Sequence, residues 1–237
     1  MAKLRCILLP GLDGTGQFFN AFADAISSYA NPTVIAYPRD RLLSYDELVE
    51  YVAAQLPRDE DYCLIAESFS GPIAILLASR KPPHLKALIL AVTFAVSPYP
   101  KASWTLSKLL IIMKHFSISK KFIQTSLLNG SHPELAERIH RVVSTLDKAV
   151  IAGRAKSAML CNVLGALKQI TVPILAIQAK QDRVLSPKCL DDMVKANPAI
   201  RAARVDAPHC LLQVEAKSVS EKLVEPFLHE FAFDRTR

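Results

Sequence analysis

The chain has 237 residues, of which 51% are hydrophobic and 22% charged, with a formal net charge of +7. This composition suits one domain with a large core and excludes a disordered chain, and no apolar run reaches the ~18 residues of a membrane-spanning helix. Five scattered cysteines (Cys6, Cys63, Cys161, Cys189, Cys210) form no C-x-x-C pair, which argues against a disulfide framework and a zinc site; no metal or cofactor is expected.

The opening Met1 to Leu9 is basic, then apolar, but the apolar part stops at Pro10-Gly11. That is short of the ~7–15 apolar residues of a secretion signal, so it reads as a first strand, Arg5–Leu9, and the protein as cytoplasmic. Further strands are expected at Thr33–Ala36, Tyr62–Ala66, Ala87–Val92, Ile174–Gln178 and Ala203–Val205. Helical patterns fall near Gln17–Tyr29, Tyr45–Leu56, Ser70–Arg80 and Lys188–Asn197, and from Val214 to about Phe231. Continuous apolar strands such as "ALILAV" suit a parallel sheet covered by helices on both faces, so the alternation predicts an α/β fold.

The first strand runs into "LLPGLDGTGQFF", Leu8 to Phe19, with Gly11, Gly14 and Gly16. Glycines let backbone amides approach a ligand, and a helix start favours negative charge. A phosphate or the oxyanion of an acyl-transfer intermediate would suit such a loop. The phosphate reading lacks support, because neither G-x-x-x-x-G-K-[ST] nor G-x-G-x-x-G is present. Asp13 in this loop reads as a carboxylate capping the turn that starts the helix.

The third strand ends in Ala66-Glu67-Ser68-Phe69-Ser70-Gly71, followed by a helix. A serine in so sharp a turn needs small neighbours; Ala66 and Ser70 meet that need, although strict G-x-S-x-G is not met. Glu67 is expected to bond nearby backbone amides.

From Ser97 to Ile170 only helical patterns occur, with turns at Asn129-Gly130-Ser131 and near Gly153. This interval reads as a helical cap, residues 97–170, inserted after the fourth strand over a core of residues 1–96 and 171–237. It holds eleven lysines and arginines against three acidic residues. They read either as solvated helix faces or as a surface for an acidic partner. Trp104 and the nearby Leu106, Leu109, Leu110, Ile111, Ile112 and Met113 read as core, some of it lining a cleft.

Beyond the cap, Asp182 follows the fifth strand and His209 the sixth. Ser68, Asp182 and His209 therefore all follow strands, in the chain order Ser…Asp…His of one known triad topology.

With these residues in view the chain resembles the α/β-hydrolases, and small bacterial members with an L-P-G-x-D-G-T-G opening and an A-E-S-F-S-G elbow above all. The resemblance runs from about Leu4 to Phe231. The family more often has His-Gly at Pro10-Gly11, and glycine at Ala66 and Ser70. The chain begins at what would be the family's third strand, which implies a mostly parallel sheet of about six strands. The resemblance implies Ser68 as nucleophile, His209 as general base, Asp182 as its orienting acid, and the backbone N–H groups of Leu12 and Phe69 as the oxyanion hole.

The expected activity is a serine carboxylesterase acting on a small or medium acyl ester through an acyl-serine. One version takes a carrier-bound ester, such as a pimeloyl carrier-protein methyl ester, with an acidic acyl carrier protein docked on the basic cap. An acyltransferase or thioesterase would use the same triad. A non-catalytic binding module with a basic docking cap is the reading from another class. No nucleic-acid partner is expected, for lack of a recognised motif.

Overall fold

A computed structural model describes residues 3–99 and 118–233. Six strands form one parallel sheet: β1 (Leu4–Leu9), β2 (Ala30–Val34), β3 (Tyr62–Glu67), β4 (Leu85–Ala91), β5 (Ile174–Ala179) and β6 (Arg201–Val205). Their order across the sheet is β2-β1-β3-β4-β5-β6. The order reverses between β1 and β3, and loops at that switch point open a crevice at the carboxyl ends of the strands.

Side chains alternate between the two faces, as the pleat requires. Leu64, Ala66, Leu88 and Leu90 pack with helices α2 (Tyr45–Ala53) and α3 (Gly71–Ser79). Cys63, Ile65, Ala87 and Ile89 pack with α1 (Asn20–Ile26) and the C-terminal helical run that begins at Ala216. All five cysteines are free and buried, consistent with thiols acting as small apolar side chains.

Ser44 begins α2 with a reciprocal capping box to Glu47, satisfying two amides that a helix start leaves open. The helix α1 begins only at Asn20, three residues later than expected. Gly14 and Gly16, both at φ 71°, keep the preceding segment out of helical conformation. The expected second strand is shifted as well: pairing with β1 covers Ala30–Val34. Asn31 and Pro32 are residue types favoured in turns, yet they lie in β2, an edge strand, where proline is tolerated.

Between β4 and β5 the described residues form α4 (Pro133–Ser144), α5 (Lys148–Met159) and shorter helical turns at Lys120–Leu127 and Leu164–Leu167. The base of this insertion is pinned by Val163 N–H to Ala95 O (2.7 Å) and Ser97 N–H to Cys161 O (2.8 Å). Gly153, expected near a turn, lies inside α5. A Cβ there would come within 2.6 Å of Leu42 Cδ1, so Gly153 marks a close approach of Leu42 to the helix. Trp104 and the apolar run Leu106 to Met113 lie outside the described residues. After β5 come α6 (Lys188–Ala196), β6, a turn of helix at Leu211–Val214 and the C-terminal run. Among the described residues no helix is long and apolar enough to cross a membrane.

Candidate active site

The strand β3 ends at Glu67, and Ser68 takes a left-handed backbone conformation, φ 51°. A non-glycine residue there costs about 1–3 kcal/mol and persists only where its surroundings hold it. Thr93 supplies part of that hold, its hydroxyl donating to Ser68 O at 2.5 Å. Gly71 lets the segment after β4 approach, since a Cβ at that position would lie 2.7 Å from Thr93 Cβ. The small residues expected around the serine are both wholly buried, and Ser70 does more than save space. Its hydroxyl donates to Pro10 O and shares a 2.5 Å bond with the Tyr37 hydroxyl, tying the elbow to the end of β1.

The structure brings Ser68, His209 and Asp182 together. Ser68 Oγ is 3.1 Å from His209 Nε2, and His209 Nδ1 is 2.7 Å from Asp182 Oδ2. The other Asp182 oxygen accepts from Val184 N–H (2.7 Å) and Leu185 N–H (2.8 Å). Those amides fix the carboxylate, so Oδ2 receives Nδ1–H and the Nε2 lone pair faces the serine hydroxyl. His209 is 8% exposed, and the Asp182 side chain 1%. Water is thereby kept from the inner bond.

Ser68 and His209 open on a cavity of about 320 Å³. The strand-end loops contribute Gly11, Leu12, Phe69 and Gln213, and the insertion contributes Phe122, Leu127, Ile139, Val143 and Ile151. Leu12 and Phe69, the two expected oxyanion donors, thus line the same space as the serine. Leu12 occupies a turn closed by Gly14 N–H to Gly11 O at 3.0 Å, and Phe69 is in the first turn of a helical run. N–H groups at a first helical turn have no partner within the helix.

Glu67 differs from expectation. It is buried and takes its hydrogen bond from the Gln213 side chain (Nε2 to Oε1, 2.9 Å) rather than from backbone amides. The reason is geometric: Glu67 closes a strand whose backbone amides are engaged in the sheet, and Gln213 lies beside it on the cavity wall. Burial pushes its carboxyl up to about 7, against the hydrogen bond from Gln213 and the pull of His209. Asp13 accepts from the Thr15 N–H (2.8 Å) and the Thr15 hydroxyl. The expected cap at the helix start is not made, since α1 begins at Asn20 with no side-chain cap; Asp13, its carboxyl raised by burial, closes a local turn at Thr15 instead.

Arg154, one of the eleven basic residues of the insertion, lies neither on a solvated helix face nor on a docking surface. The side chain is 1% exposed and points inward to the oxyanion loop. Lys101, Lys108 and Lys114 lie outside the described residues. Arg154, Tyr37, Thr93 and Gln213 are the site residues that sequence reasoning missed. For Arg154 a signal existed: it stands in "AVIAGRAKSAM", among small and apolar residues unlike those of a solvated face.

No protein-family model and no curated protein matches the chain. Solved structures do match over nearly its whole length. A thermophilic esterase from Thermogutta terrifontis, malate bound, superposes with a TM-score of 0.82 at 16% identity, covering 97% of this chain and 90% of that one. A hydrolase from Oleispira antarctica gives 0.78 at 16% identity over 96% and 92%. A bromoperoxidase from Bacillus anthracis gives 0.78 at 17% identity over 96% and 92%. The differing activities in these names show how much chemistry one scaffold carries. The six-stranded parallel sheet, its covering helices and these likenesses together establish that the chain has the α/β-hydrolase fold.

Proposed function

We propose that the protein is a serine hydrolase that cleaves carboxylic esters with an apolar acyl group through an acyl-serine intermediate. The observation that carries this reading is the Ser68–His209–Asp182 relay, 3.1 and 2.7 Å, opening on a largely apolar cavity. His209 Nε2 takes the Ser68 proton as Oγ adds to the ester carbonyl carbon. The oxygen of the tetrahedral intermediate takes negative charge between the N–H groups of Leu12 and Phe69. Collapse breaks the bond to the alcohol, which leaves with the proton held on His209. Water then adds to the acyl-serine by the same route and releases the acid and the free serine. Asp182 holds the imidazole in the tautomer both halves need.

Hydrolysis of a short-chain p-nitrophenyl ester, with fluorophosphonate labelling, tests this reading. Wild-type protein is expected to turn over and to be labelled at Ser68, and Ser68→Ala to do neither. A folded Ser68→Ala protein with wild-type turnover would sink the assignment. Absence of both turnover and labelling in the wild type would favour a binding module instead. Acyl transfer to an added alcohol separates a transferase from a hydrolase, since both share the acyl-serine. A carrier-bound ester is a second reading, supported by exposed Lys121, Arg141 and Lys168 on the insertion. Its turnover is then expected to fall with salt while that of a neutral ester holds.

A further inference from the structure

Arg154 heads the fully buried side chains of the described residues by size. Leaving a guanidinium in the interior without partners costs several kcal/mol, roughly the order of a whole domain's stability margin. Its partners are backbone carbonyls of other segments. Nη1 donates to Leu12 O (3.0 Å) and Asp13 O (2.7 Å), and Nη2 to Pro38 O (2.8 Å). The cation also lies 5.6 Å from the centre of the Tyr37 ring. Gly14 makes room for it: a Cβ at this residue, φ 71°, would lie 2.8 Å from Arg154 Cζ.

Each loop carbonyl from Pro10 to Gly14 has a donor. Pro10 O receives the Ser70 hydroxyl, Gly11 O receives Gly14 N–H (3.0 Å), and Gly14 O receives Tyr37 N–H (2.7 Å). Among the described residues, Leu12 O and Asp13 O are held by Arg154. Peptide units are planar, so a bound carbonyl fixes the orientation of its whole unit. The unit before Leu12 carries the Leu12 N–H and is set by the Gly11 carbonyl; the unit after it is set by Arg154. Both hinges of Leu12 are thereby closed.

We infer that Arg154 is a positioning residue for the oxyanion hole, a strut from α5 that pins the two inner carbonyls of the Gly11–Gly14 turn and so keeps the turn that presents the Leu12 N–H to the developing charge from rotating. The inference rests on the reading of Leu12 as an oxyanion donor. It makes stabilisation of the tetrahedral intermediate depend on the seating of α5, an element of the helical insertion. Ground-state binding in the apolar cavity does not depend on the strut, because Arg154 does not line that cavity.

The test compares wild type, Arg154→Ala and Arg154→Lys on p-nitrophenyl butyrate. An arylboronic acid serves as a tetrahedral, negatively charged adduct of Ser68, and near-UV circular dichroism reports folding. For Arg154→Ala, kcat is expected to fall about 10–100-fold with KM within about 3-fold, and boronate affinity to fall with kcat. Non-denaturing guanidinium is expected to restore part of kcat in Arg154→Ala and to leave the wild type unchanged. Arg154→Lys, which keeps the charge but not the fork, is expected to fall between the two. If Arg154→Ala does not fold, the same comparison of kcat, KM and boronate affinity in Arg154→Lys decides. A folded variant with wild-type kcat and boronate affinity overturns the inference, as does one that loses substrate and boronate binding in equal measure. Wild-type turnover by Ser68→Ala would instead strike the proposed function, so the two failures are distinguishable.

Discussion

Glu67 Oε1 accepts a hydrogen bond from Gln213 Nε2 at 2.9 Å, one residue before the candidate nucleophile. Two polar side chains thus meet at the wall of a largely apolar cavity. Gln213 Oε1 is buried and finds no partner among the described residues. The pair holds a carboxyl beside the relay without joining it.

Burial raises the Glu67 pKa from 4.5 to about 7. Between those values the folded chain binds more protons than the unfolded chain, so stability falls as pH rises through the interval and levels off above it. Glu67→Gln removes this loss and offers the unpartnered Gln213 oxygen an N–H donor. The substitution is expected to stabilise by roughly 2–3 kcal/mol at pH 8, shrinking as pH falls toward 5. Urea denaturation of both proteins at the two pH values measures it. A difference that does not change with pH would refute the account.

Asp182 divides its oxygens between two tasks, one accepting from Val184 and Leu185 N–H and the other from His209. Asp182→Asn keeps an acceptor for the loop amides but presents an N–H to Nδ1, which turns the imidazole to the wrong tautomer. A loss of about 10⁴ in kcat is expected, with little change in KM. The melting temperature is expected to shift less than in a variant that also frees the loop, such as Asp182→Ala. Steady-state kinetics and thermal melts of the two variants check this, and wild-type kcat in Asp182→Asn would remove Asp182 from the relay.

Gly71 and Thr93 meet where the elbow helix crosses the segment after β4. Gly71→Ala drives a methyl into Thr93 and disturbs the hydroxyl that holds Ser68 O. Destabilisation of about 1–3 kcal/mol is expected from such overpacking. Gly71→Ala with Thr93→Ala is expected to cost less than the two single changes added, because the second removes the obstructing hydroxyl and methyl. A double-mutant cycle from chemical denaturation gives the coupling; strict additivity would show that the two side chains do not meet.

Local chemistry marks part of this architecture. Apolar runs bounded by glycine, proline or charge are legible as strands because a strand buried on both faces has few alternatives. The β3 run "YCLIAE" and β5 run "ILAIQA" show this, each buried throughout. Edge elements are less legible, as β2 shows: its Asn31-Pro32 carries turn chemistry inside a strand. Gly153 misleads similarly, since a glycine in a helical pattern can end a helix or admit a neighbour, and only Leu42 decides between them.

Local sequence marks the alternating α/β order and the placing of Ser68, Asp182 and His209 after strands, because both depend on short stretches of chain. It also marked Leu8 to Phe19 as a loop able to offer amides. The packed fold shows that the three side chains meet, that Ser70 binds Pro10 O, and that Glu67 faces Gln213. It also turned Arg154 from a surface charge into an inner strut. Arg154 and Leu12 stand 142 residues apart, and no local pattern encodes which face of α5 turns inward. That choice is made when the insertion packs on the strand ends, where the loop carbonyls need donors and Gly14 leaves room for the guanidinium that supplies them.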